Sequence, residues 1–422
     1  MVTVEQIKDA IAKHKLELPR HQKLHDYYVG KHKILNRKLH DPTKPNNKMI
    51  TSYPTLIIDT MVGYFASKPL SYLSATNDEN FINDLKRIFY INDSEDTDAE
   101  TVKNFSIFGK TYNLHYIDEF GNLRFKHYSP LEMYVEKDAS GNIKYAVRHW
   151  YEEVGKEKVL KVEAYDHEGI YNFSGDEFIL ENQIEHYFGE TPVTVFQNNA
   201  EEQGDFEQLI PSIDALETML SDTSNEIESW VNAYLVLGGM SGTTSEDLAK
   251  MRQDGALLLE DVDQAKFLTK EVNPAFQQNF FETVDKLLHK FSGIPDLTSE
   301  QFSSNLSGTA LGFKLYNMES KASNKERKME KALRKRIRFI CAILNKQGKE
   351  YEPYDLRFNF HRNIPQNKAE IAEQIGKLSP YVDQKTLLSW HPDITDVDLV
   401  LKRLKEQSDS MDIDKIQHVS ES

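Results

Sequence analysis

Apolar positions along the chain follow two different periods. Up to about residue 109 the spacing is helical. Val4, Ile7 and Ile11 mark one side of a first helix, and Pro19 predicts a break that divides residues 1–40 into two helices. Leu56, Ile57, Met61, Val62, Tyr64 and Phe65 predict a buried helix that ends before Pro69, and two short helices follow over 78–90 and 97–109. Between Thr111 and Phe196 the period shortens. TYNLHYID, NLRFKHY, MYVEKD, KYAVRHW, KVLKVEAYD and EFILEN are rich in Val, Tyr and Phe. Turn sequences at 118–121, 139–142 and 173–176 separate some of them, which predicts a meander of antiparallel strands.

Beyond Phe196 the helical period returns in long segments. Ile213, Leu216, Leu220, Ile227, Trp230 or Val231, and Tyr234 predict one helix over 210–237, with Pro211 in its first turn. At 1.5 Å per residue that rod would be on the order of 40 Å long. Gly238 and Gly239 close it. An insert follows, with a short helix at SEDLAKMRQ and strands at ALLLED and AKFLTK. A second helix opens at Asn273-Pro274 and stops at Gly293. Residues 293–309 turn polar. A third helix runs over 310–346, its apolar positions from Leu311 to Leu344 spaced by three, four or seven. The strand DLRFNFHR and short helices over 367–409 complete the chain, before a polar tail.

Charge refines this picture. The net charge is −16, where a generic nucleic-acid binder would lean basic. From Val162 to Ala249 there are 19 Asp and Glu and no Lys or Arg. Lys321–Arg336 carries eight basic and two acidic residues, and residues 1–50 carry eleven and five. Solvated or paired faces explain any one such run; a subunit polarised for assembly explains the set. On the 210–237 helix Asp214, Glu217, Asp222, Glu226 and Glu228 have no basic neighbour in sequence, so the helix needs packing partners.

Candidate chemistry is sparse. The single cysteine, Cys341, sits in RFICAIL and reads as a buried small hydrophobe. No apolar run approaches a membrane span, and the first residues lack a secretory h-region. Gly109-Lys110-Thr111 resembles the end of a phosphate-binding loop, but Asn104 stands where that loop needs glycine. His21 and His25 lie one turn apart without an obvious third ligand and read as a surface pair; Asp412 and Asp414 lie in the loose tail. No cofactor is implied.

The order of several segments carries a resemblance. They are NKMITSYPTLIIDTMVGYFASKP (47–69), FGKTYNLHYIDEFGNLRF (108–125), TPVTVFQNN (191–199), DFEQLIPSIDALETMLSDTSNEIES (205–229), the FSGIPDL…NLSGTALGFKLYNMESKASNKERKMEKALRKRI segments within 291–337, and NFHRNIPQNKAEIAEQIGKLSPYVDQKTLL (359–388). Together they resemble the portal proteins of tailed bacteriophages, in the type found in long-tailed phages of Gram-positive hosts. The resemblance implies an α+β fold of portal-like architecture. A mixed helix and antiparallel-strand wing would span 1–203, with a long kinked helix and strand (310–362) returning to it. Stem helices would span 204–237 and 273–292, a small αβ clip 238–272, a tunnel loop 293–309, and a helical crown and tail 363–422.

It further implies a non-enzymatic ring of about twelve copies at one capsid vertex. Double-stranded DNA would pass through it in packaging and ejection. The clip would dock the packaging ATPase (the terminase large subunit) and a head–tail adaptor, and major capsid and scaffolding proteins would contact the ring. The site would be the virion, after assembly in host cytoplasm, with no membrane. By position, Gln301, Phe302, Ser303, Ser304 and Asn305 would face DNA. The acidic stem residues are those on the 210–237 helix, and Glu246, Asp247, Lys250 and Arg252 would form the clip docking surface. Lys286, Lys290 and Lys266 would be either cationic channel residues or partners of the acidic helix. Two other readings stand beside this one: a metal-dependent DNA-processing enzyme using acidic residues of 162–249, and a monomeric adaptor.

Overall fold

The structure, a computed structural model, describes residues 1–42, 44–230, 234–237, 244, 246, 265–268, 274–297, 308–363, 368–389, 391, 394, 397 and 399–407. Helix α1 (Val4–Tyr28) opens on a capping box: Thr3 Oγ1 accepts from Gln6 N, and Gln6 Oε1 accepts from Thr3 N. It is one helix, not two, and Pro19 lies inside it. Buried Ile7, Ala10, Ile11 and His14 before the proline, and His21, Leu24 and Tyr27 after it, hold both halves across the missing backbone bond. Helices α2 (Tyr53–Phe65), α3 (Glu79–Ile91) and α4 (Ser94–Phe108) follow, close to their expected places.

The meander forms two antiparallel sheets. One has three strands in the order β3 (Leu123–Tyr128), β2 (Lys110–Ile117), β9 (Val193–Gln197). The other runs β4 (Met133–Lys137), β5 (Ile143–Val154), β6 (Glu157–Tyr165), β7 (Gly169–Ser174), β8 (Ile179–Glu185). Helix α1 buries Ile7, Ala10 and Ile11 against Tyr145, Val147, Val162 and Tyr171 of the five-stranded sheet. Tyr112, Leu114, Met133, Val135 and Val193 fill a second core, to which both sheets contribute. The third core joins Phe81, Leu85 and Phe89 of α3 to Ile337, Phe339 and Ile340 of the long helix α7 (Gly308–Lys346). Each such side chain contributes about 1.5–3 kcal/mol relative to exposure. A short strand, β1 (Ser71–Ser74), pairs with β12 (Leu356–Asn359), the segment DLRFNFHR.

Helix α5 spans Ile210–Trp230 and α6 spans Pro274–Ser292. The expected rod to residue 237 is therefore too long, because Tyr234–Leu237 is strand β10, antiparallel to β11 (Ala265–Leu268). Tyr-Leu-Val-Leu is a short apolar run that fits helical and strand periods alike. Ala265–Leu268 is thus a strand as expected, the last two residues of AKFLTK lying outside the described residues with ALLLED and SEDLAKMRQ, except Glu246, which is helical. Residues 1–305 and 313–362 form one compact unit, and 306–312 with 363–422 form another, in which α8 (Lys368–Leu378) contacts α9 (Gln384–Ser389). No helix among the described residues is long and apolar enough to cross a membrane.

Gly109 shows why Gly-Lys-Thr occurs here. It ends α4 with φ of 88°, and a Cβ on it would sit 1.9 Å from the carbonyl oxygen of Glu202. Lys110 Nζ then bridges Glu17 and Glu202, at 3.1 and 3.0 Å. The tripeptide ties α4 to the loop before α5. Gly109→Ala should therefore lower unfolding stability in urea by more than about 2 kcal/mol, since the left-handed conformation alone costs about 1–2. Gly141→Ala has a similar φ of 84° but open space around it, and should cost only that conformational term.

Candidate functional site

Three of the five acidic residues of α5 share one face with two neutral polar residues. Asp214, Glu217, Ser221, Asn225 and Glu228 recur at three or four residues and form one polar face. Residues 27–42 and 44–51 supply a strap along it. Tyr27 donates to Asp214 Oδ1 at 2.5 Å. Thr51 N donates to Glu217 Oε1 at 2.8 Å, Met49 N to Ser221 Oγ at 2.9 Å, and Asn47 N to Asn225 Oδ1 at 2.7 Å. Asn47 Nδ2 reaches Glu228 at 2.7 Å. The match is geometric. Alternate residues of an extended chain advance about 6.8 Å, and four residues of helix advance about 6 Å. Each alternate N–H of the strap thereby finds an acceptor one turn further along α5.

Charge completes the ladder. Arg37 Nη1 lies 2.7 Å from Asp222. His32 Nδ1 lies 2.5 Å from Glu217 Oε1, with both side chains almost fully buried. The helix, which has no basic neighbour in sequence, finds partners for Asp222 and Glu217 in a basic segment nearly two hundred positions upstream that folds onto it. Sequence reasoning missed Tyr27, His32, Arg37, Asn47, Met49 and Thr51. The helical spacing of polar groups on α5 was the visible signal, but nothing local points to their partner.

Helix α6 packs beside α5. Tyr53 donates to its Asp285, and His289 Nε2 lies 3.6 Å from the same carboxylate. Ser52, Tyr53, Leu56, Asp285, His289 and Ile294–Leu297 line an open cleft of about 420 Å³. Lys286 lies 3.5 Å from Glu282 one turn away, and Lys290 is exposed. Lys266 is on β11, opposite Val236. Glu226 is on α5, partly buried. Gln301–Asn305, Asp247, Lys250 and Arg252 lie outside the described residues.

Four of the eight basic residues in the Lys321–Arg336 run of α7 are ion-paired. Lys325 is buried and donates to Asp205 at 2.7 Å, to Ser106 at 2.9 Å and to Asn198. Burial pushes its ammonium down from the usual lysine range, and Asp205 opposes that. Arg336, fully buried, lies 2.7 Å from Asp98. Lys335 and Arg338 both reach Glu190, at 3.1 and 2.8 Å. Cys341 is buried, its thiol pushed up to about 12 by burial.

His21 is not a surface residue. It is fully buried edge-on to Phe108, and burial, helped by Lys110 and Arg20, lowers its pKa to about 3. Among the described residues no group of three His, Cys, Asp or Glu side chains could hold a metal ion.

A family model, "Phage portal protein, SPP1 Gp6-like", matches residues 7–413, and the chain belongs to that family. It is 23% identical over 397 residues to the portal protein of Bacillus phage SPP1, covering 88% of this chain and 78% of that protein. Two solved structures of gene transfer agent particles are also similar at 10% identity. The neck of an empty particle gives a TM-score of 0.48 over 81% of this chain and 90% of that one. The native virion gives 0.44 over 79% and 88%. The chain is a structural portal subunit of a tailed phage.

Glu217→Ala should cost about 3–5 kcal/mol in urea unfolding, because it strands a buried imidazole and two Thr51 donors. Asp222→Ala, on an exposed pair, should cost no more than about 1 kcal/mol.

Proposed function

We propose that copies of this chain close into a ring at one capsid vertex and form the channel through which double-stranded DNA is packaged and ejected. The carrying observation is the helix pair α5 and α6, with the β10–β11 ladder lying between them in sequence. We assign α5 and α6 to the stem, the segment around β10–β11 to the clip, and residues 293–309 to the tunnel loop, with Gln301–Asn305 meeting DNA. The packaging ATPase and then a head–tail adaptor dock on the clip, through Glu246, Asp247, Lys250 and Arg252. Energy comes from that ATPase, and the subunit contributes no catalytic group.

Two features support the ring. The strap covers only one face of α5. Ala215 and Thr218 stay exposed on another, and on α6 Leu287 and Phe291 are exposed, Phe291 at 60%. A neighbouring stem that covers these residues in closed cyclic symmetry removes them from water. Family membership supports the portal role over the nuclease and the adaptor.

Light scattering of the purified chain, followed by negative-stain images, tests this. The expected result is a species of about twelve copies with a central hole. A chain that stays at 48.8 kDa, even with scaffolding and capsid proteins present, would overturn it.

A further inference from the structure

Where the strap meets α5, one contact is dry and charged. His32 is 1% exposed and Glu217 is 0%. Both ring nitrogens of His32 face oxygens: Nδ1 is 2.5 Å from Glu217 Oε1 and Nε2 is 2.8 Å from the Tyr27 carbonyl oxygen. A neutral imidazole carries one N–H. Either tautomer would leave a nitrogen lone pair against an oxygen, in a place that water does not reach. With Glu217 as the acceptor, only the imidazolium satisfies both contacts. Glu217 Oε1 meanwhile accepts from Thr51 N and Thr51 Oγ1, as a carboxylate does.

The surroundings agree. The charged groups that face the ring are Glu217 and Asp214, both from α5, and Asp214 also accepts from Tyr27. Tyr27 stacks on the imidazole with ring centroids 4.6 Å apart, and Thr51 from the strap is neutral. Burial opposes the charge, yet the bonds to Glu217 and the Tyr27 carbonyl outweigh it, and the imidazole titrates above its ordinary range.

We propose that His32 is a positioning residue, a proton-dependent lock that holds helix α5 to the strap and, through Tyr27, to α1 on the five-stranded sheet. The lock stands on the geometry of one chain. Its meaning for a channel wall, that the wing sets the position of the stem, rests on the portal reading. The sign follows from a folded-state pKa that is raised. The lock is complete below the unfolded histidine value of about 6.5 and is lost as pH rises through the higher folded value.

Two exchange measurements by mass spectrometry test the lock on the full chain. Histidine C2–H exchange should place the His32 midpoint above about 6.5. Amide exchange, corrected for intrinsic rates, should show α5 peptides spanning Glu217–Ser221 losing protection by up to about tenfold per pH unit above that midpoint. In H32Q the same peptides should exchange quickly at pH 6 and show no further pH dependence. If H32Q does not fold, E217Q serves, and its His32 midpoint should fall back to about 6.5 or lower. A wild-type His32 midpoint at or below that value, or α5 protection equal at pH 6 and 9, would overturn the lock. Neither readout needs a ring, so a failure to assemble would remove the proposed ring and leave the lock standing.

Discussion

Backbone N–H groups that leave water must find acceptors, and here a helix supplies them to an extended chain. Asn47, Met49 and Thr51 donate to Asn225, Ser221 and Glu217 on successive turns of α5. The three contacts therefore fix both the register of the strap and the rotation of the helix about its axis. The rest follows from that rotation. Glu217 turns inward to His32, Asp214 to Tyr27 and Asp222 to Arg37. The side left uncovered is the one with Ala215 and Thr218.

The charge asymmetry of the sequence acquires a different meaning in this light. A strongly basic amino terminus and an acidic stretch from Val162 to Ala249 look like surfaces of opposite sign awaiting other molecules. Part of each is spent within the chain. The same holds for the basic run of α7, where Lys325 and Arg336 are buried against Asp205 and Asp98. Removing one partner from such pairs leaves a stranded charge, which makes them determinants of alignment more than sources of net stability.

Much of the architecture was legible in the sequence because it is periodic. Helices α2 to α7, the turns at Gly121, Gly141 and Gly175, and the paddle of antiparallel strands all follow from local spacing. Three failures share one cause, which is that distant packing overrode a local rule. Pro19 did not break α1, since buried residues on both sides hold it. Tyr234–Leu237 left the helix to pair with Ala265–Leu268. His21 went into the core beside Phe108. The strap is the clearest instance. Asn-Lys-Met-Ile-Thr has no period of its own, and its structure is dictated by side chains of α5 that lie far along the chain.

Glu217, the buried carboxylate of α5, belongs to the strap and not to solvent. Carboxyl footprinting of the unassembled chain, using a carbodiimide with glycinamide and mass spectrometry, reads this residue by residue. The account predicts that Glu217 stays unlabelled while Glu282, exposed on α6, is modified. Labelling of Glu217 at the rate of Glu282 would contradict it.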